Sequence, residues 1–119
     1  MANPEKFYTT EVAFLGEQDG PPEREFKTRL NSLFRHEANL KTAYLVRIRY
    51  RSSDHDDVAL CLRANAGQCP QLVKGVQRVF ASMFGKHEHL DIMFLDEEKE
   101  MEVRSCCEPF FSDIGTPRQ

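Results

Sequence analysis

Along this chain the hydrophobic residues switch repeatedly between strand-like alternation and helix-like spacing, and the order of those switches constrains the fold more than any single motif does. A short apolar strand comes first, near Val12–Leu15. From about Pro22 to Leu40 the spacing is helical. Phe26, Leu30, Leu33 and Phe34 form one stripe, Pro22 suits a first turn, and Glu23 and Glu25 complement the positive end of the helix dipole. Two alternating segments follow, Thr42–Arg51 and Val58–Ala64, separated by the polar turn Ser52-Ser-Asp-His-Asp-Asp. Leu72, Val73, Val76, Val79, Phe80 and Phe84 mark a second helix over Pro70–Phe84, with Gly85 as its stop. Leu90, Ile92 and Phe94 alternate in a last strand, Leu90–Leu95. The order β-α-β-β-α-β predicts an α+β, ferredoxin-like two-layer sandwich, an antiparallel sheet with two helices on one face.

A chain of 119 residues, 40% of them hydrophobic, suits one domain with one core. The periodic segments place that domain over residues 11–112, between a flexible N-terminus (1–10) and a flexible tail (113–119). The net charge of −3 argues against a general nucleic-acid binder. No apolar run approaches the length of a membrane helix, and Met1-Ala-Asn-Pro-Glu-Lys is not the start of a secretory signal, so the expected compartment is the cytoplasm. The spacing of Cys61, Cys69, Cys106 and Cys107 makes no disulfide framework, which agrees with a reducing location.

The sharpest local pattern lies in the second strand. Tyr44, Val46, Ile48 and Tyr50 alternate with Leu45, Arg47, Arg49 and Arg51, so one face reads as apolar and the other as basic. In the next strand Val58, Leu60, Leu62 and Ala64 alternate with Cys61 and Arg63. Arg47, Arg49, Arg51 and Arg63 are therefore expected to share the sheet face that the helices leave open.

Three stretches carry a resemblance to a known family. Ala43-Tyr44-Leu45 leads the central strand, Leu90-Asp-Ile-Met-Phe-Leu forms the late strand, and Pro109-Phe110-Phe111 closes the domain. In these the chain resembles the C-terminal domain of the SseB family, bacterial proteins named for an enhanced-serine-sensitivity phenotype, over about residues 11–112. The family's closing aromatic is Tyr where this chain has Phe111. The resemblance implies a bacterial cytoplasmic protein, and it brings no catalytic residues and no cofactor with it.

The residues themselves give several candidates. Clustered arginines on one face repel unless anionic groups sit nearby, so Arg47, Arg49, Arg51 and Arg63 would meet an acidic partner, an anionic ligand or their own acidic run Asp96–Glu102. The stacking aromatics of an RNA-binding sheet face are missing from these positions. Phe110 and Phe111 must either lock the tail onto the domain or anchor a partner. His87, His89, Cys106 and Cys107 are zinc-type residues without the paired spacing of a zinc site, so no metal is expected. A cysteine nucleophile at Cys61, Cys69 or Cys107 has no histidine placed beside it by sequence. The acidic run reads as a solvated loop or helix face. Together these point to a non-catalytic interaction or regulatory module that binds an acidic protein or pairs with itself through the basic face. The alternative is a small-molecule sensor for an anionic metabolite or amino acid.

Overall fold

The computed structural model describes residues 12–65, 69–85 and 88–113. In chain order its elements are β1 (Val12–Glu17), α1 (Pro21–Phe34), β2 (Leu40–Tyr50), β3 (Asp57–Ala64), α2 (Pro70–Phe84), β4 (Asp91–Phe94), α3 (Glu97–Arg104) and β5 (Phe111–Ser112). The α+β class and the β-α-β-β-α-β order are those the hydrophobic periods predict, extended by α3 and β5. The expected flexible N-terminus, all of the expected tail except Asp113, and His87 lie outside the described residues.

Two features within that class differ from the expectation. The strands stand in chain order, β1-β2-β3-β4, with β5 continuing the β1 side of β2, so no strand is interleaved between two halves. The sheet is also mixed. β1 and β5 pair antiparallel with β2, and β2 with β3, but β3 and β4 run parallel, Ala59 opposite Asp91 and Leu62 opposite Phe94. The link from β3 to β4 is the helix α2, and a helical crossover is the connection that parallel neighbours require.

Alternation along the strands sends residues to two faces, and both are buried. On one, Ala43 and Leu45 of β2 and Leu60 and Leu62 of β3 pack against Phe26, Leu30 and Phe34 of α1 and Leu72 and Val76 of α2. Phe26 meets Phe80 and Phe84 edge to face, both pairs at 5.6 Å between centroids. Gly75 lets α2 approach α1 closely, since a Cβ there would stand 3.1 Å from a methyl carbon of Leu33. On the other face, Tyr44, Val46, Ile48, Ala59 and Cys61 are fully buried beneath Val103 of α3, Leu95 and Cys107. The expectation of one open face is therefore corrected: α1 and α2 cover one side, and α3 covers part of the other.

Helix ends follow local chemistry. α1 stops at Phe34, short of the expected Leu40, because the apolar stripe ends there. Leu40 joins the sheet opposite Ala64 instead. α2 begins at Pro70 and stops at Gly85, whose φ of +84° suits glycine alone. α3 begins where the side chain of Asp96 accepts from the backbone N–H of Lys99 at 2.7 Å. Glu97, Glu98 and Glu100 in its first turn and Arg104 in its last complement the dipole. No described helix is long and apolar enough to cross a membrane.

Candidate functional site

The α3 side of the sheet is only partly covered. A helix of eight residues is about 12 Å long, and α3 lies over the Thr42–Tyr44 end of β2. Toward the far end of β2 the strands supply their own cover: Val12 and Phe14 from β1, Tyr50 from β2 and Met93 from β4. Between these side chains and Lys99 of α3 runs an open apolar groove of about 340 Å³, lined also by Phe94 and Leu95.

The helix wall of this groove is pinned by a polar cluster. Glu100 points inward from α3. Its Oε2 accepts from the Thr42 hydroxyl at 2.6 Å and the Tyr44 hydroxyl at 2.5 Å, and its Oε1 accepts from Arg63 Nη1 at 2.9 Å. Arg104 Nε donates to the Tyr44 hydroxyl at 2.8 Å. Burial alone would push the Glu100 pKa up. Hydrogen bonds from Thr42 and Tyr44, with the charges of Arg104 and Arg63, outweigh burial and hold it below the ordinary carboxylate range. Burial, and then the bond to Glu100, push the Tyr44 phenol up. At the other end of the groove the Tyr50 hydroxyl donates to Asp91 Oδ2 at 2.7 Å, and His89 Nε2 lies 2.7 Å from Asp91 Oδ1. Burial and the Asp91 carboxylate push the Tyr50 phenol up, so it stays a donor.

The expected arginine surface is divided. Arg47 and Arg49 alternate with Ile48 onto the α1–α2 side, beyond the reach of the helices. Both are about half exposed and both pair with Asp56, at 3.5 and 2.8 Å. Arg51 follows in the exposed turn just past β2. Arg63 shares the opposite face with Cys61 and is committed to Glu100. The cause is the strand period: β2 and β3 pair Thr42 with Arg63 and Arg47 with Val58, so Arg63 and Arg47 cannot share a face.

Phe110 and Phe111 lock the tail onto the domain. Their rings lie 6.1 and 5.5 Å from that of Phe34. The amides of Phe110 and Asp113 donate to Ala43 and Lys41 of β2, each at 2.9 Å. Cys61 and Cys107 are buried and their thiols are pushed up to about 12, chiefly by burial. Among the described residues no three His, Cys, Asp or Glu side chains gather as a metal site would require. Sequence reasoning offered the acidic run as a partner for the arginines without singling out Glu100, and missed Thr42, Tyr44 and Lys99. The available signal was the helix start at Asp96 inside the acidic run.

These features define a class first, a small α+β domain whose mixed sheet is covered on one side and grooved on the other. A family model, the SseB protein C-terminal domain, matches residues 13–112, and the chain belongs to that family. No curated protein and no solved structure matches it.

Proposed function

We propose that this chain is a non-catalytic regulatory module that holds a small molecule in the groove between β1, β4 and α3. The observation that carries this is the groove itself. Its volume of about 340 Å³ lies at the small end of the range that ligand sites occupy, and its walls are apolar with few polar groups, as such sites are. It is built on strands, with its helix wall held by Glu100, so little ordering is left to oppose binding. The protonated thiols of Cys61 and Cys107 are poor nucleophiles, which supports a binding role over a catalytic one. A bacterial cytoplasmic setting goes with this role. Thermal-shift screening with amino acids and anionic metabolites tests it: a saturable shift supports it, and a flat panel rejects it.

A second reading rests on Arg47 and Arg49. Two half-exposed guanidiniums share the single carboxylate of Asp56, which leaves them able to take a further anionic group. The occupant would be an acidic segment of a partner protein or the acidic α3 surface of a second copy. Size-exclusion chromatography with light scattering at low and high salt tests the second copy. A salt-dissociable dimer supports it, and a monomer at both salts removes it.

A further inference from the structure

Resting on the small-molecule reading, we infer that the ligand of the groove is an apolar monocarboxylate and that Lys99 is the residue that selects it. A water molecule takes about 30 Å³ of liquid, so 340 Å³ gives space for on the order of ten non-hydrogen atoms. Val12, Phe14, Met93 and Leu95 offer that body no hydrogen bonds, so most of it is hydrocarbon. At the polar end near Tyr50 both oxygens of Asp91 already have a protein partner, one Tyr50 and one His89. An amino group would have to give up its hydration among these apolar side chains, at a cost.

Lys99 differs. It is the charged side chain on the groove wall, and its ion pair is with Glu102, at 3.6 Å, beyond hydrogen-bond length. Such a surface pair contributes little and yields readily. The backbone beneath Lys99 is nevertheless fixed, by the Asp96 cap on one side and the inward-facing, hydrogen-bonded Glu100 on the other. The ammonium thus swings on a placed stem and can bring its donors to a carboxylate at the mouth of the groove. Charge also limits the ligand to one negative charge. Asp96, Glu97, Glu98 and Glu102 surround Lys99, and the other cation of α3, Arg104, is engaged by Tyr44 and Glu100, so a dianion such as a phosphate monoester would meet net repulsion.

The test uses the full chain and 3-phenylpropionate, a probe of about the right size, against 3-phenylpropanol, phenylalanine and 2-phenylethyl phosphate, each followed by heteronuclear NMR. The acid should perturb the signals of Val12, Phe14, Met93 and Leu95 and bind about tenfold more tightly than the alcohol, the worth of one charge-assisted hydrogen bond. Phenylalanine and the phosphate should bind more weakly than the acid. Lys99→Met keeps stem length and helix propensity. It should erase the preference for acid over alcohol while leaving the alcohol's affinity in place. Equal binding of acid and alcohol to the natural chain, or a preference that survives Lys99→Met, overturns the assignment of Lys99 and leaves the groove standing. If none of the probes perturbs the groove at saturating concentration, both the assignment and the small-molecule reading fall.

Discussion

Replacing Glu100 with alanine tests whether the polar cluster holds α3 on the sheet. The substitution removes the acceptor of three hydrogen bonds at once. Thr42 is 3% exposed and Tyr44 is 0% exposed, so neither hydroxyl can turn to water. Each buried donor left without a partner costs roughly 1–3 kcal/mol. Arg63 is partly exposed and recovers hydration, so it adds little. Against this stands the relief of no longer burying a carboxylate, which offsets part of the loss. A net destabilisation of about 3 kcal/mol follows, a large share of the roughly 5–15 kcal/mol typical of a domain. Glu100→Gln should cost about 1–2 kcal/mol: its carbonyl still accepts from the two hydroxyls, but its amide then faces the Arg63 donor. Urea unfolding at neutral pH gives both values, as shifts in midpoint at constant slope. The pH dependence adds a second check. Glu100 has a depressed pKa in the folded state, so its stabilisation is complete above the unfolded carboxyl value of about 4.3 and is lost as pH falls through the lower folded value. The gap between the natural chain and Glu100→Gln should therefore close on acidification below about pH 4.3. A cost for Glu100→Ala under about 1 kcal/mol, less than one net hydrogen bond to a charged group, would refute the reasoning. So would a gap that persists in acid.

Three shorter predictions concern other parts of the molecule. Phe111→Ala should destabilise by about 2 kcal/mol, less than a fully buried Phe because the ring is part-exposed. It should speed hydrogen exchange at the amides of Phe110 and Asp113, and unchanged exchange there would mean β5 is held by something else. A thiol reagent at mildly alkaline pH should label Cys69 and Cys106 in the folded protein and reach Cys61 and Cys107 only in denaturant, because burial keeps the latter two protonated. If the chain self-associates through Arg47 and Arg49, Arg49→Glu should shift sedimentation toward monomer without lowering thermal stability, and an unchanged sedimentation profile rules that surface out.

The first two helices and the first four strands were legible because apolar stripes and rows mark them, and the spacing of Phe26, Leu30 and Phe34 or of Leu60 and Leu62 shows in the letters, whereas α3 and β5 were not read. The direction of β4 was not. Parallel and antiparallel pairs place side chains with the same alternation, so nothing in Asp91–Phe94 distinguishes them. The Arg47–Arg49 neighbourhood was legible for the same reason of period. Its carboxylate partner was less so, because Asp56 reaches it only through the geometry of the hairpin turn.

The site was hidden by a choice between faces that the strand residues themselves could have decided. A half-buried strand alternates apolar with polar, but Ala43-Tyr-Leu-Val and Val58-Ala-Leu-Cys-Leu are continuous apolar runs, the signature of strands covered on both sides. Two covered faces need a second layer, and two helices already on one side cannot supply it. The remaining segment able to do so follows β4, where Asp96 starts a helix and Val103 is its single buried apolar residue. Once a helix must lie there, Arg63 keeps only part of its contact with water, and a half-buried guanidinium favours an acid from whatever covers it. Of the acids on α3, Glu100 and Val103 are one turn apart and so share a face, which puts the carboxylate inward beside Arg63 and Tyr44. Lys99, one residue earlier, is then turned to the border between covered and uncovered sheet, where the groove opens.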